Sequence, residues 1–247
     1  MVESITIRVM AVIFLATTIR SAFGFGEALV AMPLLALINI PVKVAAPLVA
    51  LLSVVVAIVV IAEDWRKVHF RSASWLVVSA FCGIPFGLLL LTMADERIVK
   101  VILATVLITF STYCLRGARQ LELKSDSLGW LLGFGFISGV LGGAYNMNGP
   151  PLVIYGALRH WSAERFRATL QGYFLPASLL GLCGYCMAGL WVADVTRYFL
   201  ISLPILLAAI FLGRAINRRM QGRSFVRYVY VGLVLVGIIL LIQSLVP

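Results

Sequence analysis

Apolar residues run through this sequence in long unbroken stretches rather than in alternation. Ten stretches stand out: Ile5–Ala22, Ala28–Ile38, Val42–Ala62, Ala73–Met93, Ile98–Leu115, Leu128–Tyr145, Pro150–Leu158, Phe166–Leu190, Val195–Leu212 and Phe225–Leu245. A helix rises 1.5 Å per residue, so about 20 apolar residues cross the hydrocarbon of a bilayer. Ala28–Ile38 and Pro150–Leu158 are too short to cross alone. The pattern predicts an all-α polytopic membrane protein. Residues 1–247 form a single transmembrane domain, because no polar segment is long enough to fold by itself.

The polar residues between the stretches orient them. Arg66, Lys67 and Arg71 lie in one loop, and Arg116, Arg119 and Lys124 follow the fifth stretch. Arg159, Arg165 and Arg167 flank the start of the eighth, and Arg214, Arg218, Arg219 and Arg223 precede the last. The turns at Asp95–Glu96 and Asp194 are short and partly acidic. With the basic loops placed on the cytoplasmic side, every full span from Val42 onward alternates without conflict. Ile5–Ile38 and Leu128–Leu158 then each enter and return on one side, as a broken or re-entrant hairpin. Each hairpin leads into three transmembrane helices of opposite sense. The expectation is two inverted repeats, about 5–115 and about 128–245.

An internal match supports this without reference to charge. At an ungapped offset of 122, Gly24-Phe-Gly26 falls on Asn146-Met-Asn148, and Phe14, Lys43, Ala46 and Leu48 fall on Phe136, Arg165, Ala168 and Leu170. Inverted repeats with interrupted helices are the build of secondary transporters, whose substrate site lies near the midplane between the repeats.

Composition narrows the alternatives. The chain is 62% apolar and 12% charged, with a mean hydropathy of +1.05, which excludes a soluble globule. Its formal charge of +10 sits in loops, as positive-inside orientation and contact with membrane lipid require, and no basic stripe with interleaved aromatics points to nucleic acid. Cys82, Cys114, Cys183 and Cys186 all lie in apolar stretches, which argues against a disulfide framework. Cys183-Gly-Tyr-Cys186 has redox-motif spacing but lies within a hydrophobic span, where packing is the expected role. The first stretch lacks a basic leader and passes into further membrane sequence, unlike a cleavable signal. His69 and His160 stand apart in loops, without metal-ligand spacing. No nucleotide-binding, nucleophile-elbow or zinc-hydrolase motif occurs, so neither a cofactor, a metal nor an enzyme is expected.

The candidate chemistry lies at the two interruptions. The first reads Arg20-Ser-Ala-Phe-Gly-Phe-Gly-Glu-Ala, with Pro33 downstream, and the second Gly142-Gly-Ala-Tyr-Asn-Met-Asn-Gly-Pro-Pro151. Glycine and proline end helices, and a break inside lipid is tolerated only where protein or a watered cavity satisfies the freed groups. Two opposed half-helix ends, with unpaired amides and positive dipoles, would cage a small anion. Gly135, Gly139 and Gly143 also have the GxxxG spacing of close helix packing. Gly24, Gly26, Asn146, Asn148, Gly149 and Arg20 are therefore the candidate substrate-binding residues. Gln171 and Tyr173 are placed nearby, either on the same cavity or in ordinary interhelical hydrogen bonds. Glu27 is the candidate proton-coupling residue, with a structural ion pair to Arg20 as the alternative. For Asn146 and Asn148 the alternative is capping of the half-helix.

At these interruptions the chain resembles the sulfite exporter TauE/SafE family of membrane transporters. The family's Gly-x-Gly-Gly-Gly segment corresponds to Gly24-Phe-Gly26-Glu27-Ala28. Its Gly-x-Gly-Gly-Pro-Pro segment and following tyrosine correspond to Asn146-Met-Asn148-Gly149-Pro150-Pro151 and Tyr155. Glu27, Ala28, Asn146 and Asn148 replace typical glycines. The resemblance implies a multi-pass transporter of the bacterial inner membrane for small sulfur oxyanions or organosulfonates such as sulfite, thiosulfate or sulfoacetate. A passive anion channel, a carrier for a carboxylate and a homodimeric state stay open at this point.

Overall fold

A computed structural model describes residues 2–64, 70–116, 128–159, 163–219 and 223–245, with the side chains of residues 2–4, 60–72, 160–168, 171 and 217–229 outside that description. Arg66, Lys67, Arg119, Lys124, His69 and His160 lie outside the described residues, as do the side chains of Arg71, Arg165, Arg167, Arg218, Arg219 and Arg223. Ten helices and no strand occur among the described residues. They are α1 (Val2–Phe23), α2 (Glu27–Leu37), α3 (Val42–Asp64), α4 (Phe70–Met93), α5 (Glu96–Arg116), α6 (Leu128–Tyr145), α7 (Gly149–Leu158), α8 (Ala163–Met187), α9 (Ala193–Arg219) and α10 (Arg223–Leu245).

The helices follow the apolar stretches closely. The largest departure is α9, which runs seven residues past Leu212 to Arg219. Hydropathy falls at Arg214, but arginine and alanine are good helix formers and no proline intervenes. Six helices carry windows long and apolar enough to cross a membrane: α1, α3, α4, α5, α6 and α9. The apolar windows of α8 and α10 within the description, Gly172–Met187 and Tyr230–Leu245, are shorter. In α1 and α6 the windows are 19 and 18 residues, so each chain break follows a helix of full crossing length, and only α2 and α7 are half-length. The outer surface is apolar, with Phe81 61% and Phe211 68% exposed, a surface for lipid tails to cover. The molecule is a polytopic α-helical membrane protein.

Pairing of the helices sets where the breaks lie. α4 packs on α6 and α1 on α9, while α3 packs on α8 and α5 on α10. Along α4–α6 the contact is backbone on backbone. A Cβ at Gly83 or Gly87 would collide with the main chain of Phe136, Val140 or Gly143, and one at Gly139 or Gly143 with that of Ala80 or Ile84. The GxxxG spacing on α6 thus serves close approach to α4. On the other side, Gly213 of α9 faces Thr18, Ser21 and Ala22 of α1.

Two apolar cores result. The larger joins α1, α2, α3, α5, α9 and α10 with the ends of α4, α6 and α8, and the smaller joins α4, α6, α7 and α8 around Leu76, Leu152, Tyr155 and Tyr173. Phe25, in the first chain break, packs against both.

Candidate functional site

Both breaks turn through left-handed backbone. Gly24 has φ +84° and Gly26 φ +99°, values that residues with a Cβ rarely adopt. The Gly24 N–H still bonds Arg20 O at 2.6 Å, and α2 begins its own ladder with Val30 N–H to Gly26 O at 3.1 Å. In the second break Asn146 occupies φ +51°, and asparagine is the side-chain-bearing residue that tolerates this region best. Its N–H bonds Gly142 O at 2.8 Å.

The two breaks meet around a small cavity. From the first come Arg20, Gly26 and Glu27, and from the second Asn146, Asn148 and Gly149. Ser53 of α3 and Phe174 and Ser178 of α8 close the remaining wall. Arg20 and Glu27 are each only 3% exposed. Seven residues apart, they meet because the break folds α2 back on α1. Arg20 Nη1 donates to Glu27 Oε2 in a direct ion pair. Thr17 Oγ1 donates to Glu27 Oε1 at 3.1 Å, and Ser53 Oγ to Oε2 at 2.8 Å. Asn146 Nδ2 in turn donates to Ser53 Oγ at 3.0 Å. One hydrogen-bonded thread therefore runs from the second break, through α3, to the first.

Arg20 is only partly used by this network. Its Nε and Nη2 are buried without a hydrogen-bond partner, and its Cζ lies 5.4 Å from the centroid of the Phe174 ring. Nε–H and Nη2–H form one edge of the guanidinium, the fork that matches two oxygens of a carboxylate or an oxyanion. The α2 amides of Glu27, Ala28 and Leu29 precede the helical ladder and belong to residues on the cavity wall, the arrangement that favours an anion.

The second helix end differs from the expected row of amides. Pro150 and Pro151 occupy its first turn, and proline has no N–H. Gly149 alone retains an amide there, so the side chains of the break matter more than its backbone. Asn148 is the N-cap of α7 by position, but its side chain makes no cap hydrogen bond. Its Oδ1 instead lies against the Cα of Gly142, where a Cβ would overlap it. Below, Ser138 Oγ donates to Asn148 O at 2.7 Å and is met by Tyr173 OH at 2.8 Å.

Six of the residues singled out in the sequence thus come together: Arg20, Gly26, Glu27, Asn146, Asn148 and Gly149. Gly24 shapes the turn without lining the cavity, and the side chain of Gln171 lies outside the described residues. Tyr173 makes an interhelical hydrogen bond. Cys183 and Cys186 are free and exposed on α8. Ser53 was missed, although it is the one polar side chain between Pro47 and Ala62. Gly142 opens the second interruption in the sequence, but its role could not be read there and Phe174 carried no signal, since both roles depend on which way neighbouring helices face.

An integral membrane protein with two interrupted helices enclosing a buried arginine fork has the features of a carrier of small anions. The profile of the sulfite exporter TauE/SafE family matches residues 9–240. The chain belongs to that family, whose members are membrane transporters of sulfur-related anions. Comparison with curated proteins and with solved structures gave no match.

Proposed function

We propose that the chain is a secondary transporter that carries a small sulfur oxyanion or organosulfonate across a bacterial inner membrane by alternating access. The observation that carries this reading is the open Arg20 fork, buried where the two breaks meet. Two anion oxygens take Nε–H and Nη2–H, while the α2 amides and the Asn148 side chain replace the remaining hydration. Glu27, bonded to the third nitrogen of the same arginine, is the group proposed to carry a coupled proton. Two inverted repeats fit the helix ends. α1 and α6 end at Phe23 and Tyr145, and α2 and α7 begin at Glu27 and Gly149, each pair 122 residues apart. Exchanging the halves also turns the α4–α6 contact into α9–α1. Rocking of one half against the other would expose the cavity to each side in turn.

The test is uptake of labelled sulfite, thiosulfate and methanesulfonate into liposomes holding the purified protein, with and without a pH gradient. Saturable uptake of at least one anion is expected. Arg20→Lys keeps a cation for Glu27 but removes the fork, and KM should rise about tenfold or more. Folded protein that carries none of the three would overturn the reading.

A further inference from the structure

With prolines at 150 and 151, the one amide left in the first turn of α7 is that of Gly149. It belongs to the same peptide as the Asn148 carbonyl. In a trans peptide the N–H and the C=O point in opposite directions. Whatever holds the carbonyl therefore aims the N–H.

Two buried hydroxyls hold it. Ser138 Oγ lies 2.7 Å from Asn148 O, and Tyr173 OH lies 2.8 Å from Ser138 Oγ. Both residues are fully buried. The carbonyl can only accept, so Ser138 gives it its single proton and Tyr173 donates to Ser138. A chain of this kind polarises the peptide and makes its N–H a stronger donor. Ser138 and Gly142 stand one turn apart on α6, so one helix face receives both the carbonyl of Asn148 and its side chain. Among the described residues no main-chain carbonyl takes the Gly149 N–H. Gly149 lines the cavity that also holds the unpartnered Nε and Nη2 of Arg20. Next to Tyr173 in the chain is Phe174, whose ring lies 5.4 Å from Arg20 Cζ. Adjacent residues of α8 thus bear on the donors of both breaks. At the 122-residue offset the first half has Ala16 and Leu51 instead, and the first turn of α2 has no proline to remove its amides.

We propose that Ser138 and Tyr173 are positioning residues for transport, holding the Asn148–Gly149 peptide with its N–H directed at the anion on Arg20. This rests on the transport reading above and adds to it the donor of the second half-helix and the pair that aims it.

Ser138→Ala and Tyr173→Phe each remove one hydroxyl and leave the packing in place. The full chain in liposomes is given whichever of labelled sulfite, thiosulfate and methanesulfonate the unaltered protein carries. KM should rise about tenfold in Ser138→Ala and about threefold in Tyr173→Phe, with turnover within about twofold, as for loss of an interaction that serves binding. The double variant should match Ser138→Ala alone, because Tyr173 acts on the peptide only through Ser138. In detergent, the anion concentration that half-saturates thermal stabilisation should shift by the same factors. Unchanged KM in both variants, whether turnover or thermal midpoint falls or not, overturns the proposal: the pair then only ties α6 to α8, and the transport reading stands. Additive costs in the double variant overturn it too, since the two hydroxyls then act on different groups. If the unaltered protein neither carries nor binds any of the three anions, the transport reading itself fails, and this inference with it.

Discussion

Gly142 lines no part of the cavity, yet its missing side chain decides how Asn148 is held. The Asn148 oxygen occupies the space a Cβ would need, so Gly142→Ala must turn the amide away from its present orientation. KM for the transported anion should rise roughly tenfold, the scale of one hydrogen bond to a charged group. In an Asn148→Gly background the same change should cost nothing more. Equal costs in both backgrounds, measured as uptake KM in a four-protein cycle, would sink this account of Gly142. Much of the site is legible at this scale because ionisable and amide side chains are conspicuous in apolar sequence. Arg20, Glu27, Asn146 and Asn148 announce themselves. Phe174 beneath the guanidinium and Ser138 beneath Asn148 do not, since an aromatic or a serine in a membrane helix has many uses and only the fold chooses one.

Among the elements, the α4–α6 pair depends most on what its residues lack. Gly83, Gly87, Gly139 and Gly143 let the two backbones touch, and Gly133 on the same helix faces open space. Gly139→Leu should therefore lower the thermal midpoint of the detergent-solubilised protein, through overpacking of about 1–3 kcal/mol or more. Gly133→Leu should leave that midpoint within a degree or two, and a matching loss in both would refute the assignment. Helix existence and the two breaks were readable from apolar runs, paired glycines and prolines. The length of α9 was not, because hydropathy marks where lipid ends and not where helical hydrogen bonding stops. The prolines at 150 and 151 were read as helix breakers, but their larger effect is to strip the second half-helix of amides. The two ends of the cavity are therefore chemically unlike: backbone and arginine on one, asparagine on the other.

For the whole molecule, the notable contact is the thread from Asn146 through Ser53 to Glu27, which ties one half to the other. Rocking would have to break or carry it, and Ser53→Ala should change the maximal rate of transport more than KM, read from initial uptake rates. Glu27→Gln separates coupling from binding. Flux driven by a pH gradient should vanish while exchange of labelled for unlabelled anion persists, and loss of both would refute a purely coupling role. A match at an offset of 122 was legible in the chain, whereas an inverted sense would rest on basic loops that lie mostly outside the described residues.

The Arg20–Glu27 pair has one more consequence, for the half of a carrier's cycle in which nothing is carried. Moving an unbalanced charge through a low-dielectric interior costs several kcal/mol. Without cargo the two side chains sum to zero, so the return stroke carries no such penalty. The protein should sustain net flux into anion-free liposomes instead of requiring exchange. With a monovalent anion and the coupled proton aboard the sum is again zero, so the loaded stroke should not respond to membrane voltage either.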